Sequence, residues 1–198
     1  MEQTDFSNGI EVQTYFDKLI KSLRGVKIVS VFSRSSWFSH WGNRRTYSED
    51  SEVYILFENG QGLVIFYPFI DALSVSLRPL SEEEKALAED MDRFNDISDI
   101  YAQLPDGQLV LEETLGISLE YDSLEKVSIE YIRGPYSKWI NHELVDYVSP
   151  IHSTFEDITF TMANGNSFVI APDDAIADGY TLAWSEDAQE TITQHRQK

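Results

Sequence analysis

Two histidines, His40 and His142, each follow a tryptophan by three positions, Trp37 and Trp139. Imidazole changes charge near neutral pH, so this pair is the first place to look for a general base or a metal ligand. A metal site needs three or four ligands in defined geometry, and neither histidine has a second one at helical or hairpin spacing. The simpler expectation is that each tryptophan plugs a sheet edge beside a polar histidine, with no metal and no cofactor.

Acid clusters at Asp90, Asp92, Asp96 and at Asp173, Asp174, Asp178 invite comparison with a calcium loop. An EF-hand needs oxygen side chains at its first, third and fifth positions, glycine at the sixth and glutamate at the twelfth. Counting from Asp174 puts Ile176 third and Ser185 twelfth, and counting from Asp90 puts Phe94 fifth and Asn95 sixth, so neither run fits. No Gly-x-Ser-x-Gly elbow, phosphate loop or dinucleotide fingerprint occurs, because Gly60-Gln61-Gly62 belongs to a hairpin. Paired carboxylates for glycoside chemistry depend on folded distances, which a chain with 34 acidic residues leaves open. No catalytic residue is assigned, and the chain is not expected to be an enzyme.

Arg34, Arg44 and Arg45 surround Trp37 and Trp41. Such a patch would stack on bases in a basic protein. Here 34 acids against 15 bases leave a formal charge of -19 and a pI near 4.4, which repels nucleic acid and anionic lipid. Trp37 and Trp41 are therefore read as protein-interface anchors, a role that Trp and Arg favour. The charge is unevenly spread: residues 81–125 hold 14 acids and 2 bases. Within that segment Glu82, Glu83, Asp90, Asp92, Asp96 and Asp99 are the candidates for meeting a basic partner.

These residues need elements to hold them. Val12, Phe16, Leu19, Ile20 and Leu23 fall at helical spacing between Ile10 and Leu23, with Gly25 placed as a C-terminal cap. Val26 to Phe32 is β-branched and alternating, which predicts a strand, and Ser33 to Asp50 reads as a loop. Strands Glu52 to Phe57 and Gly62 to Tyr67 flank Asn59-Gly60, a dipeptide that accepts the positive φ of a tight hairpin. A third strand runs from Ala72 to Leu77 before Pro79. Ser81 with Glu84 forms a capping box, and Leu87, Met91, Phe94, Ile97, Tyr101 and Leu104 continue helical spacing in one long helix or two short ones. Gln108 to Leu111 and Ser118 to Tyr121 are read as short strands.

The second half repeats the pattern. Aligning Asn59-Gly60 with Asn164-Gly165 sets Phe57, Leu63, Val64 and Ile65 beside Met162, Phe168, Val169 and Ile170. Upstream, Val26, Ile28 and Val31 meet Val127, Ile129 and Ile132, and the Trp37 to His40 run meets Trp139 to His142. Downstream, Pro68 meets Pro172 and Ser81-Glu82 meets Ser185-Glu186. The expected fold is α+β: two repeated antiparallel β-hairpin units with an N-terminal helix and an acidic helical connector. Residues 1–80 form the first unit, 81–125 the connector and 126–198 the second unit, packed as one globular body.

The chain has no cysteine, no apolar run long enough to span a bilayer, and a polar start at Met1 to Asn8, which together read as cytoplasmic. In charge, size and hairpin pattern it has the general look of immunity proteins, although no motif identifies a family. The expected function is an acidic protein-binding protein that occludes a basic toxin or enzyme, with no nucleic-acid or membrane partner. The alternatives are an enzyme or ligand-binding module using a cleft between the two units, or an adaptor or oligomeric structural protein. The sequence leaves the oligomeric state open.

Overall fold

A computed structural model describes residues 4–6, 9–35, 38–41, 44–47, 52–69, 72–90, 113–116, 119–132, 135–140, 143–148, 154–173 and 179–184. The chain enters through strand β1 (Thr4–Phe6) and helix α1 (Gly9–Ser22), then β2 (Ile28–Ser35), β3 (Phe38–Trp41), β4 (Arg44–Tyr47), β5 (Glu52–Phe57), β6 (Gln61–Phe69) and β7 (Ala72–Pro79). Helix α2 (Glu82–Asp90) and β8 (Glu113–Gly116) follow. The remaining strands are β9 (Leu124–Ile132), β10 (Pro135–Ile140), β11 (Glu143–Val148), β12 (Thr154–Met162), β13 (Ser167–Asp173) and β14 (Gly179–Trp184). The fold is α+β, with an N-terminal helix and antiparallel sheets. No helix among the described residues is long and apolar enough to cross a membrane.

One six-stranded sheet has the order β1-β7-β6-β5-β2-β8, the other β3-β4-β14-β13-β12-β9, and β10 pairs only with β11. Each large sheet contains a four-strand meander, β2-β5-β6-β7 in one and β9-β12-β13-β14 in the other. Both central hairpins turn in the same way. Gly60 and Gly165 have φ of 79° and 86°, and their N–H groups donate to the carbonyls of Phe57 and Met162 at 2.9 Å. Asn59 and Asn164 each accept, through Oδ1, the N–H two residues on at 3.0 Å.

Several expectations change. The segment 33–50, read as a loop, carries β3 and β4, and β4 pairs with β14 rather than with the first meander. Four-residue strands are too short to display a period, and their pairing partner lies far along the chain, so nothing local announces them. The unit 1–80 is thus not self-contained. The connector supplies β8 at Glu113–Gly116, paired to β2, whereas 119–121 is not strand. Third strands also align differently: Leu77 lies opposite Leu63, and Trp184 opposite Phe168. Matching Ser81-Glu82 to Ser185-Glu186 would have set Leu77 against Thr181, which points to the other face, as an odd-numbered slip requires. Residues 91–104 and 108–111 lie outside the described residues.

Alternation fills the interior. Val53, Ile55, Phe57, Leu63 and Ile65 from one sheet share a single buried core with Ile158, Phe160, Met162, Phe168 and Ile170 from the other. Helix α1 adds Val12, Phe16 and Leu19, one face of a helix, and Leu23 follows in the turn just after it. Gly25, at φ 78°, ends that helix where a side chain would be strained. Between the sheets runs a strap: the Asp122 carbonyl accepts the Ile28 N–H at 3.1 Å, and the Ser123 carbonyl accepts the Ala163 N–H at 2.9 Å. Tyr121 lends its hydroxyl oxygen to the Val31 N–H at 3.2 Å.

Among the described strands β9 is at the edge of its sheet, with outer backbone groups that none of them answers. The Gln13 carboxamide answers two of them, donating to the Val127 carbonyl at 3.0 Å and accepting the Ile129 N–H at 3.2 Å. One α1 side chain thus stands in for a neighbouring strand. Gln13→Ala is expected to destabilise the chain by ~1–3 kcal/mol through the unsatisfied edge groups. Denaturant unfolding, with hydrogen exchange at the Ile129 amide, checks this, and unchanged exchange there would show the clamp to be idle.

Candidate interaction surface

Pro79 closes β7, and the next residues start a helix by the device seen in the sequence. Ser81 Oγ accepts the Glu84 N–H at 3.2 Å, while the Ser81 N–H donates to Glu84 Oε2 at 2.7 Å. The same Glu84 carboxylate receives both Nη groups of Arg78, at 2.8 and 2.6 Å. A two-pronged guanidinium pair fixes direction as well as distance, so the first turn of α2 is tied to the strand before it. That Arg78 bond holds the Glu84 carboxyl well down, at about 2; burial opposes the shift and the Ser81 bonds assist it.

Beneath the helix start, Leu80 packs with Phe32, Tyr54 and Val64 on the outer face of the first sheet. Phe32 and Tyr54, cross-strand partners, stack with centroids 5.0 Å apart. Gly62 makes room for Leu80, since a Cβ there would lie 2.3 Å from its side chain. The Tyr54 hydroxyl donates to Glu52. Burial first, then that bond and the surrounding carboxylates, push the Tyr54 phenol upward, so it stays protonated.

Above this anchored base, Glu82 and Glu83 are exposed. Glu82 meets Lys85 at 2.7 Å with its side chain 90% exposed, a pair that water screens to little effect. Asp90 is the last described residue of α2, so these three candidates share one helix, with Asp90 two turns beyond the others. Asp92, Asp96, Asp99, Trp37 and His142 lie outside the described residues. Trp41 and His40 are on β3, at register positions opposite Arg44 and Arg45. They belong to the second sheet, whereas α2 packs against β2 and β8 of the first. Trp41 is therefore not in the same sheet layer as the acidic helix.

Three glutamates occupy the first turn of α2, where the helix dipole favours them. Sequence reasoning found the capping box but not the Arg78 clamp, because Arg78 reaches Glu84 across Pro79, at no standard spacing. Among the described residues no group of three or more His, Cys, Asp or Glu side chains is placed to hold a metal. The space between the sheets, where a cleft was considered, is occupied by the shared apolar core.

A carboxyl depressed on folding stabilises the chain above its ordinary pKa of 4.5, and that contribution disappears as pH falls toward 2. Arg78→Met is expected to remove on the order of 1–2 kcal/mol at neutral pH, discounted for the partly exposed guanidinium, and to flatten the stability curve in that acid window. Denaturant titrations from pH 2 to 6 give the comparison, and parallel curves would show that the clamp contributes nothing. The chain matches no protein-family model, no curated protein and no solved structure.

Proposed function

We propose that this chain is an acidic protein-binding protein of the immunity or antitoxin type, which occludes a basic toxin or enzyme in the cytoplasm. The observation that carries the reading is a pair of exposed carboxylates, Glu82 and Glu83, on a helix start that the Arg78–Glu84 pair clamps to the first sheet. Acids held facing water on a fixed base suit a partner of opposite charge. The imbalance of residues 81–125 extends the same field, speeds encounter with a basic surface, and disfavours nucleic acid or anionic lipid as partners.

In this reading the two meanders are copies of one unit, and 81–125 is the acidic connector between them. The matching turns at Asn59-Gly60 and Asn164-Gly165 support the duplication. The unit provides the scaffold and the connector provides the contact, with Trp37 and Trp41 as apolar anchors at the interface.

The test is an affinity capture from native lysate at low and high salt, followed by kinetics with the captured protein. A single basic protein, bound one to one and weakened by salt, is the expected result. Glu82→Lys with Glu83→Lys and Asp90→Lys should slow its association by about tenfold or more. Equal association rates for the wild-type and charge-reversed chains would remove α2 from the interface.

A further inference from the structure

The two Asn-Gly turns share one backbone geometry but differ in what holds the asparagine side chain. Among the described residues Asn59 Nδ2 donates only to the half-buried Gln61 side chain, at 3.1 Å, within its own turn. Asn164 Nδ2 donates at 2.9 Å to the carbonyl of Glu120, on the strap between the sheets, and Asn166 Nδ2 donates to the same oxygen at 3.0 Å. The backbones preceding the two asparagines are anchored alike, Glu58 N–H to the Lys27 carbonyl and Ala163 N–H to the Ser123 carbonyl, both at 2.9 Å, and the Glu58 side chain also accepts the Lys27 N–H at 3.1 Å. The difference between the turns therefore lies in the carboxamides.

We infer that Asn59 is a site of spontaneous covalent modification in the folded chain, a deamidation from which Asn164 is protected by Glu120. The Gly60 backbone nitrogen attacks Asn59 Cγ, and a carbon–nitrogen bond closes a five-membered imide. The side-chain nitrogen leaves as ammonia, carrying the proton that Gly60 loses. Water then opens the imide at either carbonyl, giving aspartate or isoaspartate. Glycine favours the first step because no side chain shields its nitrogen. In both intact turns the attack is blocked, since the glycine N–H is bonded to a carbonyl and the asparagine Oδ1 to the next amide. Reaction therefore proceeds from a locally opened turn, and the turn that opens more often reacts faster. Opening at Asn59 breaks only bonds within its hairpin and to Lys27. Opening at Asn164 must also release the contacts to Glu120 that join the turn to the strap.

The consequences differ as well. An aspartate at position 59 adds one negative charge to an exposed turn. An aspartate at 164 would set a carboxylate against the Glu120 carbonyl oxygen, replacing a donor with an acceptor. The protected site is thus the one where modification would loosen the tie between strap and second sheet.

The experiment incubates the full-length folded chain at mildly alkaline pH and follows each turn by peptide mapping, with the urea-unfolded chain as reference. Conversion at Asn59 on the order of tenfold faster than at Asn164 is expected in the folded chain, about what one or two additional hydrogen bonds provide. The two rates should approach one another in urea, where both asparagines precede glycine in an open chain. Equal rates in the folded chain, faster conversion at Asn164, no conversion at Asn59, or a ratio that persists in urea would each overturn the assignment.

Discussion

Phe160 of β12 meets Phe16 of α1 edge-on at 5.9 Å and lies flat against Phe168 of β13 at 4.8 Å. All three rings are fully buried. This contact brings the N-terminal helix to the inner face of the second sheet, while the inner face of the first sheet joins the same core. A meander of four short strands has too little interior to bury its apolar face alone. Each sheet therefore depends on the other, and both depend on α1. The strap at 119–123 then fixes by hydrogen bonds an arrangement that the core has already made favourable.

Features whose cause is local were legible in the sequence. The Asn-Gly turns were, because positive φ restricts residue choice, and so was the capping box, because its two bonds join residues three apart. Helix α1 was legible from its stripe, and the meander strands from their alternation. What was not legible depends on distant partners. β3 and β4 join the sheet of the other half, β8 pairs with β2 across the chain, and Gln13 reaches a strand more than a hundred residues on. Trp184 illustrates the limit: only the ladder shows that it lies opposite Phe168, as Leu77 lies opposite Leu63. In the candidate surface the acids were visible at once, while the Arg78 grip that holds them was not.

The two faces of the first sheet serve different ends. Its inner face is continuous with the common core, whereas its outer face carries Phe32, Tyr54 and Val64 beneath Leu80 and the helix start. An apolar patch of that kind needs cover, and Leu80 provides some of it only because Gly62 has no side chain. The polar groups around it are matched in the folded state, Tyr54 to Glu52 and Arg78 to Glu84. The base of α2 is thereby satisfied both in packing and in charge, confining the exposed acids Glu82 and Glu83 to its solvent side.

That confinement bears on how charge relates to fold here. A chain with a formal charge of -19 works against its own compaction, and distributing the acids evenly would be the gentlest arrangement. Instead, residues 1–80 are nearly neutral and the excess begins where β7 gives way to α2. Among the described residues, those that unite the two sheets come from 12–77 and from 119 onward. Glu84 marks the junction: one carboxylate of the acidic run is turned back to grip Arg78 and cap the helix, which frees Glu82 and Glu83 to face water. Glu84 thus spends its charge on the fold, while its two neighbours in the same turn leave theirs at the surface.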